Sequence, residues 1–217
     1  MSQSERKRVI VAVTGASGAL YARRLIECLL NAACEVHLIV SPYGRMLLED
    51  ELGIRELTPA SLTGREVSGL VLHPYRDVGS VLGSGSFRTC GMIVCPCSTN
   101  SMAAMAAGLG SNLIERAAAV TLKEKRRLVV VPREMPWTRI DLENALRLDQ
   151  AGAVICPACP GFYMLPESLM DVVDFVVAKL LDLVDVPHTL NTRWQTSAAY
   201  TARHDAGPTA APEGAQS

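Results

Sequence analysis

The chain of 217 residues lacks the features that mark several large classes of protein. It carries no excess of charge, since 21 basic and 22 acidic side chains leave a net charge of −1, and it has no long basic stretch. Nucleic acid is therefore not expected as a partner. No apolar run reaches the roughly 20 residues that span a bilayer. The polar residues 1–8 lead directly into an apolar run, which leaves no room for a signal peptide. These absences predict a cytoplasmic protein with no membrane partner.

Disulfide bonds and metal sites are not expected either. The seven cysteines are an odd number scattered among apolar segments, which predicts reduced, buried thiols. Two pairs, Cys95 with Cys97 and Cys156 with Cys159, raise the alternatives of a metal site or a redox pair. Only the second pair has the spacing of a zinc knuckle, and the four histidines form no ligand-like grouping. Small residues packed against a ligand pocket explain both pairs more simply, so no metal is predicted.

Apolar residues, in contrast, are abundant. They make up 49% of the chain beside 20% charged residues, which indicates a sheet buried on both faces or further surface buried between subunits. Apolar runs alternate with amphipathic stretches, which predicts an α/β fold: a single Rossmann-like (flavodoxin-like) domain with a parallel sheet and helices on both faces. We assign this domain to residues 1–195 and a flexible tail to residues 196–217, which are rich in Ala, Gly and Pro.

The same pattern places strands and helices along the chain. The predicted strands are residues 9–13, 35–40, 92–95, 128–131 and 153–156. The predicted helices are residues 19–32, 43–51, 101–108, 114–125, 140–151 and 168–183. Residues 53–87 are rich in Gly, Ser, Thr and Pro, so they are predicted as loops with short irregular elements.

The most informative motif is Thr-Gly-Ala-Ser-Gly at residues 14–18, directly after the first predicted strand. A buried strand that ends in a glycine-rich turn and opens a helix often holds a phosphate, because backbone N–H groups can approach the anion and the helix dipole attracts it. Ser17 offers a hydroxyl either to that anion or as the cap of the helix. The motif predicts a phosphate or nucleotide without saying which one.

Three more polar clusters follow predicted strands: Ser41, the segment 97–101 and the segment 132–134. The carboxyl ends of parallel strands meet at one edge of a sheet, so all four clusters are expected around one ligand. An ordinary helix N-cap explains any single cluster equally well. Four clusters at the same edge favour a binding site.

Charged residues supply further candidates. Arg133 and Glu134 form either a surface ion pair or part of a ligand site, where a carboxyl group of raised pKa beside a phosphate would donate a proton. Arg116 and Lys123 lie seven residues apart and hence on one face of the predicted helix 114–125. They form either a phosphate clamp or a solvated basic face.

With these residues assembled, the chain resembles the UbiX-type flavin prenyltransferases, within the wider family of homo-oligomeric flavin-containing decarboxylase-like proteins. The likeness covers roughly residues 8–195. It rests on an ordered set of segments: 14–18 (TGASG), 95–99 (CPCST), 112–117 (NLIERA), 131–134 (VPRE), 142–144 (LEN), 160–163 (PGFY), 173–178 (VDFVVA) and 193–194 (RW). Any one segment could be accidental, whereas the ordered set is specific.

The resemblance implies that FMN is bound and that dimethylallyl monophosphate lies on its isoalloxazine ring. The residues implied to hold FMN are Gly15, Ala16, Ser17, Ser41, Ser98, Thr99, Asn100, Ser101 and Arg133. Those implied to grip the phosphate of the prenyl donor are Arg116, Lys123, Tyr163 and Lys179. In the family these groups come from neighbouring subunits of a homo-oligomer, usually a dodecamer built of trimers.

The implied reaction joins the dimethylallyl group to N5 and then to C6 of reduced FMN, without a metal. Arg116, Lys123 and Lys179 would offset charge on the departing phosphate. Glu134 would pass a proton to that phosphate and later help to remove one from C6, while Trp194 would cover the developing allylic cation. The implied recipient of the prenylated FMN is a UbiD-type decarboxylase.

Two departures from the family pattern and three alternatives accompany this resemblance. Lys179 stands where the family usually has arginine, and Met164-Leu165 stand where a histidine and a polar residue are common. Short-chain dehydrogenases share the glycine-rich turn, but no tyrosine here has a lysine four residues later. Phosphopantothenoylcysteine decarboxylases depend on an early histidine, whereas His37 lies inside a predicted strand. The remaining alternative is a non-catalytic protein that stores or delivers FMN or prenylated FMN.

Overall fold

The computed structural model describes residues 6–190, so Trp194 and the predicted tail 196–217 lie outside the described residues. Six parallel strands form one sheet in the order β3-β2-β1-β4-β5-β6, which is the order of a doubly wound Rossmann fold. The strands are β1 (Arg8–Val13), β2 (Glu35–Val40), β3 (Leu70–His73), β4 (Gly91–Cys97), β5 (Arg127–Pro132) and β6 (Val154–Ile155). The predicted α/β class with a parallel sheet is confirmed.

Seven α-helices connect these strands within residues 6–190, together with one 3-10 helix, Val81–Gly83. The helices are α1 (Ala19–Asn31), α2 (Pro42–Leu52), α3 (Pro59–Thr63), α4 (Thr99–Ala106), α5 (Leu113–Lys123), α6 (Arg139–Gln150) and α7 (Leu169–Leu183). None of these described helices is long and apolar enough to cross a membrane.

Helices cover both faces of the sheet, as the continuous apolar strands indicate. Helices α1 and α7 pack on one face, where Leu25 and Val177 are buried. Helices α4, α5 and α6 pack on the other, around Met102. The guanidinium of Arg24 donates two hydrogen bonds to the Asp174 carboxylate, at 2.7 and 3.0 Å, and so ties α1 to α7. This pair accounts for the acidic residue inside the otherwise apolar segment 173–178.

The prediction of loops over residues 53–87 is wrong for β3, a regular strand that pairs in parallel with β2. Its apolar run is only three residues long, so composition alone gave a weak signal. Pairing with β2 completes the edge of the sheet, and tertiary contact decides the conformation. The other predicted strands and helices are confirmed, and their ends differ from the prediction by at most two residues.

The cysteines follow the prediction only in part. All seven are free thiols, and Cys34, Cys95 and Cys97 are buried as expected. Cys90 and Cys159 are exposed, which corrects the expectation of uniform burial. Cys90 precedes β4 at the rim of the sheet, and Cys159 lies in the loop that follows β6, so neither is covered by a helix layer.

Strand β3 also brings two histidines together at the edge of the sheet. His73 Nε2 lies 2.9 Å from Nδ1 of His37, whose side chain is buried. Burial lowers the pKa of both imidazoles below the ordinary value of 6.5, and the neighbouring His37 lowers the pKa of His73 further. Both rings are therefore neutral in the folded protein at pH values where an unfolded chain would protonate them.

We expect the free energy of unfolding to fall as the pH drops below 6.5. Above that value the imidazoles are neutral in both states; below it the unfolded chain binds protons that the folded chain excludes, so acid favours unfolding. Urea unfolding between about pH 7.5 and about pH 5.5 measures this slope. The variant His73→Gln should show a smaller dependence of the free energy of unfolding on pH. An equal dependence in the variant and the parent would contradict the assignment of this effect to the histidine pair.

Candidate functional site

The candidate site lies at the carboxyl ends of β1 and β4, where the order of the strands reverses. Buried Thr14 joins the two strand ends. Its backbone N and its Oγ1 both donate to the Pro96 carbonyl, at 3.1 and 3.0 Å, while the Ser98 backbone N donates to Thr14 Oγ1 at 2.7 Å. The glycine-rich turn and the start of α4 are therefore held at a fixed separation, as the sequence predicts for polar clusters at one edge.

Gly15 is required by close packing against α2. A Cβ atom built on Gly15 would lie 2.6 Å from the Cβ of Tyr43 in α2, which is too close for any other residue. Gly18 has a φ of 121° and so adopts a conformation that glycine alone takes readily. Ala16 is buried beneath the turn, and its N–H donates to the Thr14 carbonyl at 2.9 Å.

The N-terminus of α1 is satisfied by a carboxylate of the chain itself. Glu51, at the end of α2, accepts hydrogen bonds from the backbone N of Gly18 at 3.0 Å and of Ala19 at 2.8 Å. The N-cap of α1 is Gly18, so the alternative that Ser17 caps this helix is wrong. A negative charge already complements the dipole here, and these two amides are not free for a phosphate.

Serines cap α2 and α4, which also start at this edge. Ser41 Oγ accepts from the Gly44 backbone N at 3.0 Å, at the start of α2. Ser98 Oγ accepts from the Ser101 backbone N at 3.2 Å and donates to Ser101 Oγ at 3.0 Å. The N-cap explanation is thus correct for Ser41 and Ser98, and both side chains are committed to holding helix ends.

Uncommitted polar groups remain at the same edge. Within residues 6–190, the side chains of Ser17, Thr99 and Asn100 have no hydrogen-bond partner. The backbone N–H groups of Thr99 and Asn100 lie in the first turn of α4, where no intrahelical acceptor exists. A helix start with free amides and hydroxyls is suited to a phosphate. The geometry points to α4, rather than α1, as the anion-binding helix.

Arg133 and Glu134 extend this edge from the end of β5. Arg133 Nε donates to the Ser17 carbonyl at 3.1 Å, so the guanidinium reaches across to the glycine-rich turn. The exposed Glu134 accepts from the Met135 backbone N at 3.1 Å through Oε1, and its carbonyl accepts from Trp137 Nε1 at 3.0 Å. The two residues do not pair with each other, and the surface ion pair considered from the sequence is absent.

Lys123 lies away from this edge, whereas Arg116 lies in the first turn of α5, whose start is bonded to Tyr75 beyond the carboxyl end of β3. Both side chains are exposed on α5, and Lys123 Nζ lies 3.4 Å from Glu124 Oε1. Helix α5 ends just before β5 begins at Arg127, whereas Arg133 follows the other end of that strand. The six residues of β5 separate the end of α5 from Arg133 by about 20 Å. Within one chain, Lys123 and Glu134 therefore occupy opposite edges of the sheet.

Tyr163 and Lys179 lie on the α1–α7 face, opposite to α5. The ring of Tyr163 packs edge-on against Phe175 with centroids 5.5 Å apart, and the exposed Lys179 follows Phe175 by one turn of α7. Burial raises the pKa of the Cys156 thiol, and the nearby Lys179 ammonium opposes that shift. The four predicted phosphate-binding side chains are thus not gathered within a single chain.

Large apolar side chains are exposed close to these separated groups. Leu142 and Leu146 lie one turn apart on α6 with 57% and 56% of their surface exposed, and Met135 reaches 87%. Phe162 and Leu165 are likewise exposed beside Tyr163. Leu142 and Leu146, one turn apart on α6, form an exposed apolar pair of the kind found at contacts between subunits. Within residues 6–190, no group of histidine, cysteine or acidic side chains could hold a metal ion.

Comparison with known proteins shows which family this chain is similar to. The family model described as Flavoprotein matches residues 1–181. The flavin prenyltransferase UbiX of Alkalihalophilus pseudofirmus is 42% identical over 198 residues, which cover 89% of this chain and 99% of that protein. The flavin prenyltransferase UbiX of Pseudomonas aeruginosa is 42% identical over 196 residues, covering 87% of this chain and 94% of that protein.

Solved structures share the fold over nearly the same span. A UbiX protein in complex with FMN and dimethylallyl pyrophosphate aligns with a TM-score of 0.76 and 39% identity, covering 83% of this chain and 93% of the other. A structure described as a dodecameric FMN-dependent UbiX-like decarboxylase from Escherichia coli O157:H7 aligns with a TM-score of 0.79 and 39% identity, covering 87% of this chain and 99% of the other.

Proposed function

We propose that dimethylallyl monophosphate is the prenyl donor of this chain and that N5 and C6 of reduced FMN receive the prenyl group. The chain belongs to the flavoprotein family and, within it, to the UbiX-type flavin prenyltransferases. The observation that carries this proposal is the set of uncommitted donors at the β1–β4 edge, bordered by Arg133 and Glu134. Flavin binding alone needs no exposed carboxylate there. A prenyl transfer that releases phosphate needs a proton donor.

FMN fits the residues of this edge. The free amides and side chains of Thr99 and Asn100 would hold the phosphate of FMN. Ser17 and Arg133 would contact the remaining polar atoms of FMN. Ser41, Ser98 and Ser101 act indirectly, because they hold the starts of α2 and α4 in place. Gly15 and Ala16 shape the turn. When bound, reduced FMN supplies the nucleophilic atoms to which the prenyl carbons become bonded.

The prenyl donor is held and activated by charge. The bond that breaks joins the allylic carbon to the phosphate oxygen, so the phosphate leaves with the electron pair. Arg116, Lys123 and Lys179 would neutralise the charge that develops on it, and Tyr163 would donate a hydrogen bond. Glu134 would donate a proton to the leaving phosphate and then, as a carboxylate, accept the proton released from C6. No step requires a metal.

This chemistry requires more than one copy of the chain. Lys123 and Glu134 lie at opposite edges of the sheet, and Tyr163 with Lys179 lie on a third surface. The apolar residues of α6 and of the loop before α7 are exposed and would supply contact surface between copies. We therefore propose a homo-oligomer in which neighbouring copies complete each site, in the form of a dodecamer built of trimers. We also propose that the protein is cytoplasmic and that a UbiD-type decarboxylase receives the product.

Anaerobic incubation of the protein with reduced FMN and dimethylallyl monophosphate tests this function. Mass spectrometry of the extracted flavin should show FMN heavier by one dimethylallyl group, with inorganic phosphate released in equal amount. Unmodified FMN with this donor, with dimethylallyl pyrophosphate and with longer prenyl phosphates would instead favour the non-catalytic alternative, a protein that stores or delivers flavin.

Gly15→Ala should weaken FMN binding by at least about tenfold, because the new methyl group collides with Tyr43 and pushes α2 away from the turn. Titration of flavin fluorescence measures the dissociation constant. Gly110→Ala is the matched control, since a Cβ at Gly110 meets no atom within 4 Å. Equal affinity in the two variants would show that the turn does not shape the flavin site.

A further inference from the structure

A chain of hydrogen bonds runs through the edge of the sheet and leads away from the flavin site. Glu35 Oε1 lies 2.8 Å from His37 Nε2, His37 Nδ1 lies 2.9 Å from His73 Nε2, and His73 Nδ1 lies 3.0 Å from Ser80 Oγ. Only 4% of His37 is exposed, and the Phe87 ring packs edge-on against it at 5.0 Å. The four side chains are therefore fixed in one geometry.

The direction of each hydrogen bond follows from chemistry. An ionised Glu35 carboxylate, which also lies 3.5 Å from Arg8 Nε, can only accept. His37 must then donate through Nε2 and accept through Nδ1. His73 in turn donates through Nε2, and its Nδ1 accepts from the Ser80 hydroxyl. With both imidazoles neutral, all four ring nitrogens are hydrogen-bonded and Ser80 is anchored at the end of the network.

Ser80 is the residue before the 3-10 helix Val81–Gly83, and that helix supports Arg116. The Ser80 carbonyl accepts from the Gly83 backbone N at 2.8 Å. A Cβ atom built on Gly83 would lie 3.3 Å from Cγ and 3.6 Å from Nε of Arg116, so the stem of the arginine rests on the glycine backbone. The 3-10 helix is therefore a packing surface for the stem of Arg116.

The same segment is attached to α5 at a second point. The Tyr75 carbonyl accepts from the Leu113 backbone N at 2.9 Å, in the first turn of α5. Residues 73–83 thus run from His73, the partner of the buried His37, to the 3-10 helix that contacts Arg116. Arg116 itself is exposed, and within residues 6–190 it has no ion-pair partner that would orient it instead.

We propose that Ser80, held by the His73–His37–Glu35 chain, is a positioning residue for Arg116 and thereby sets the affinity of the site for the phosphate of the prenyl donor. This inference rests on the proposed function, in which Arg116 grips that phosphate. The hydroxyl acts on the donor through the 3-10 helix and not through FMN, whose predicted contacts lie at the carboxyl edge of the sheet.

Steady-state kinetics of Ser80→Ala and Ser80→Thr test the proposal. We expect Ser80→Ala to raise KM for dimethylallyl monophosphate about three- to tenfold, the effect of one lost hydrogen bond. The values of kcat and of the FMN dissociation constant should stay within about twofold, because the chemistry and the flavin contacts are unchanged. Ser80→Thr keeps the hydroxyl and should restore KM.

A double variant separates positioning from general loosening of the fold. In an Arg116→Met background, Ser80→Ala should have no further effect on KM, because the residue through which it acts is gone. An equal increase of KM in both backgrounds, or an unchanged KM in Ser80→Ala, would overturn the inference while leaving the prenyl transfer established.

Hydrogen exchange tests the mechanical link even if the parent protein makes no prenylated FMN. Peptides that span residues 112–118 should exchange faster in Ser80→Ala than in the parent, and at the parent rate in Ser80→Thr. Unchanged exchange in Ser80→Ala would overturn the link. An inactive parent protein with faster exchange in Ser80→Ala would refute the proposed function and retain the link.

Discussion

Replacing Glu134 with glutamine should lower the rate of prenylated FMN formation by about a hundredfold or more, because positioned acid–base groups contribute about 10²–10⁴ to a rate. Glutamine has nearly the same shape and keeps an oxygen that can accept from the Met135 backbone N, as Glu134 Oε1 does at 3.1 Å. It cannot donate a proton to a leaving phosphate or accept one from carbon. The variant therefore isolates proton transfer from packing.

Single-turnover formation of the product, followed by mass spectrometry, measures this effect. FMN affinity should be almost unchanged, since the flavin contacts proposed above lie on Ser17, α4 and Arg133. Glu143→Gln is the matched control: Glu143 lies on α6, is exposed and pairs with Arg139 on the surface. A rate in Glu134→Gln equal to that of Glu143→Gln would remove Glu134 from the mechanism.

Lys123→Met should lower kcat/KM for dimethylallyl monophosphate by about 10²–10³, the usual loss when one group that stabilises developing charge is removed. Methionine keeps the unbranched stem and the helix propensity of lysine, so α5 should remain intact. The exposed pair between Lys123 and Glu124, at 3.4 Å, contributes little to folding. The melting temperature should stay within a few degrees of the parent value.

The neighbouring Lys125 supplies the control for this variant. It is also exposed but lies beyond the end of α5, so Lys125→Met changes the net charge equally without touching the proposed phosphate contact. Only Lys123→Met should lose activity. Comparable losses in both variants would indicate a general electrostatic effect of the basic surface and would contradict a specific contact.

The sheet and its helices could be predicted from the sequence because apolar runs and amphipathic stretches alternate along most of the chain. Strand β2, for example, begins and ends at the predicted residues. Strand β3 could not be predicted, because its short apolar run is stabilised by pairing with β2 rather than by its own composition. Since β3 was missing from the prediction, so was His73 as the partner of the buried His37.

The polar clusters of the site were predictable as a group, because all follow parallel strands. Their individual partners were not. Glu51 lies 33 residues from Gly18 in the sequence, and nothing in its local pattern marks it as the acceptor for the amides of α1. Because that carboxylate accepts from the amides of Gly18 and Ala19, these two groups are not free for a phosphate. The separation of Lys123 from Glu134 likewise depends on the direction of β5 through the sheet, which residue types do not reveal.

Co-expression of Lys123→Met and Glu134→Gln subunits, each carrying a different affinity tag, tests most directly whether one site is shared between copies. Mixed oligomers, purified through both tags, should regain prenylated FMN formation, because a Lys123 from one copy can meet a Glu134 from another. Oligomers of either variant alone should stay inactive. Mixed oligomers that are as inactive as the oligomers of either variant alone would place Lys123 and Glu134 of each site in the same copy. That result would contradict a site assembled between subunits.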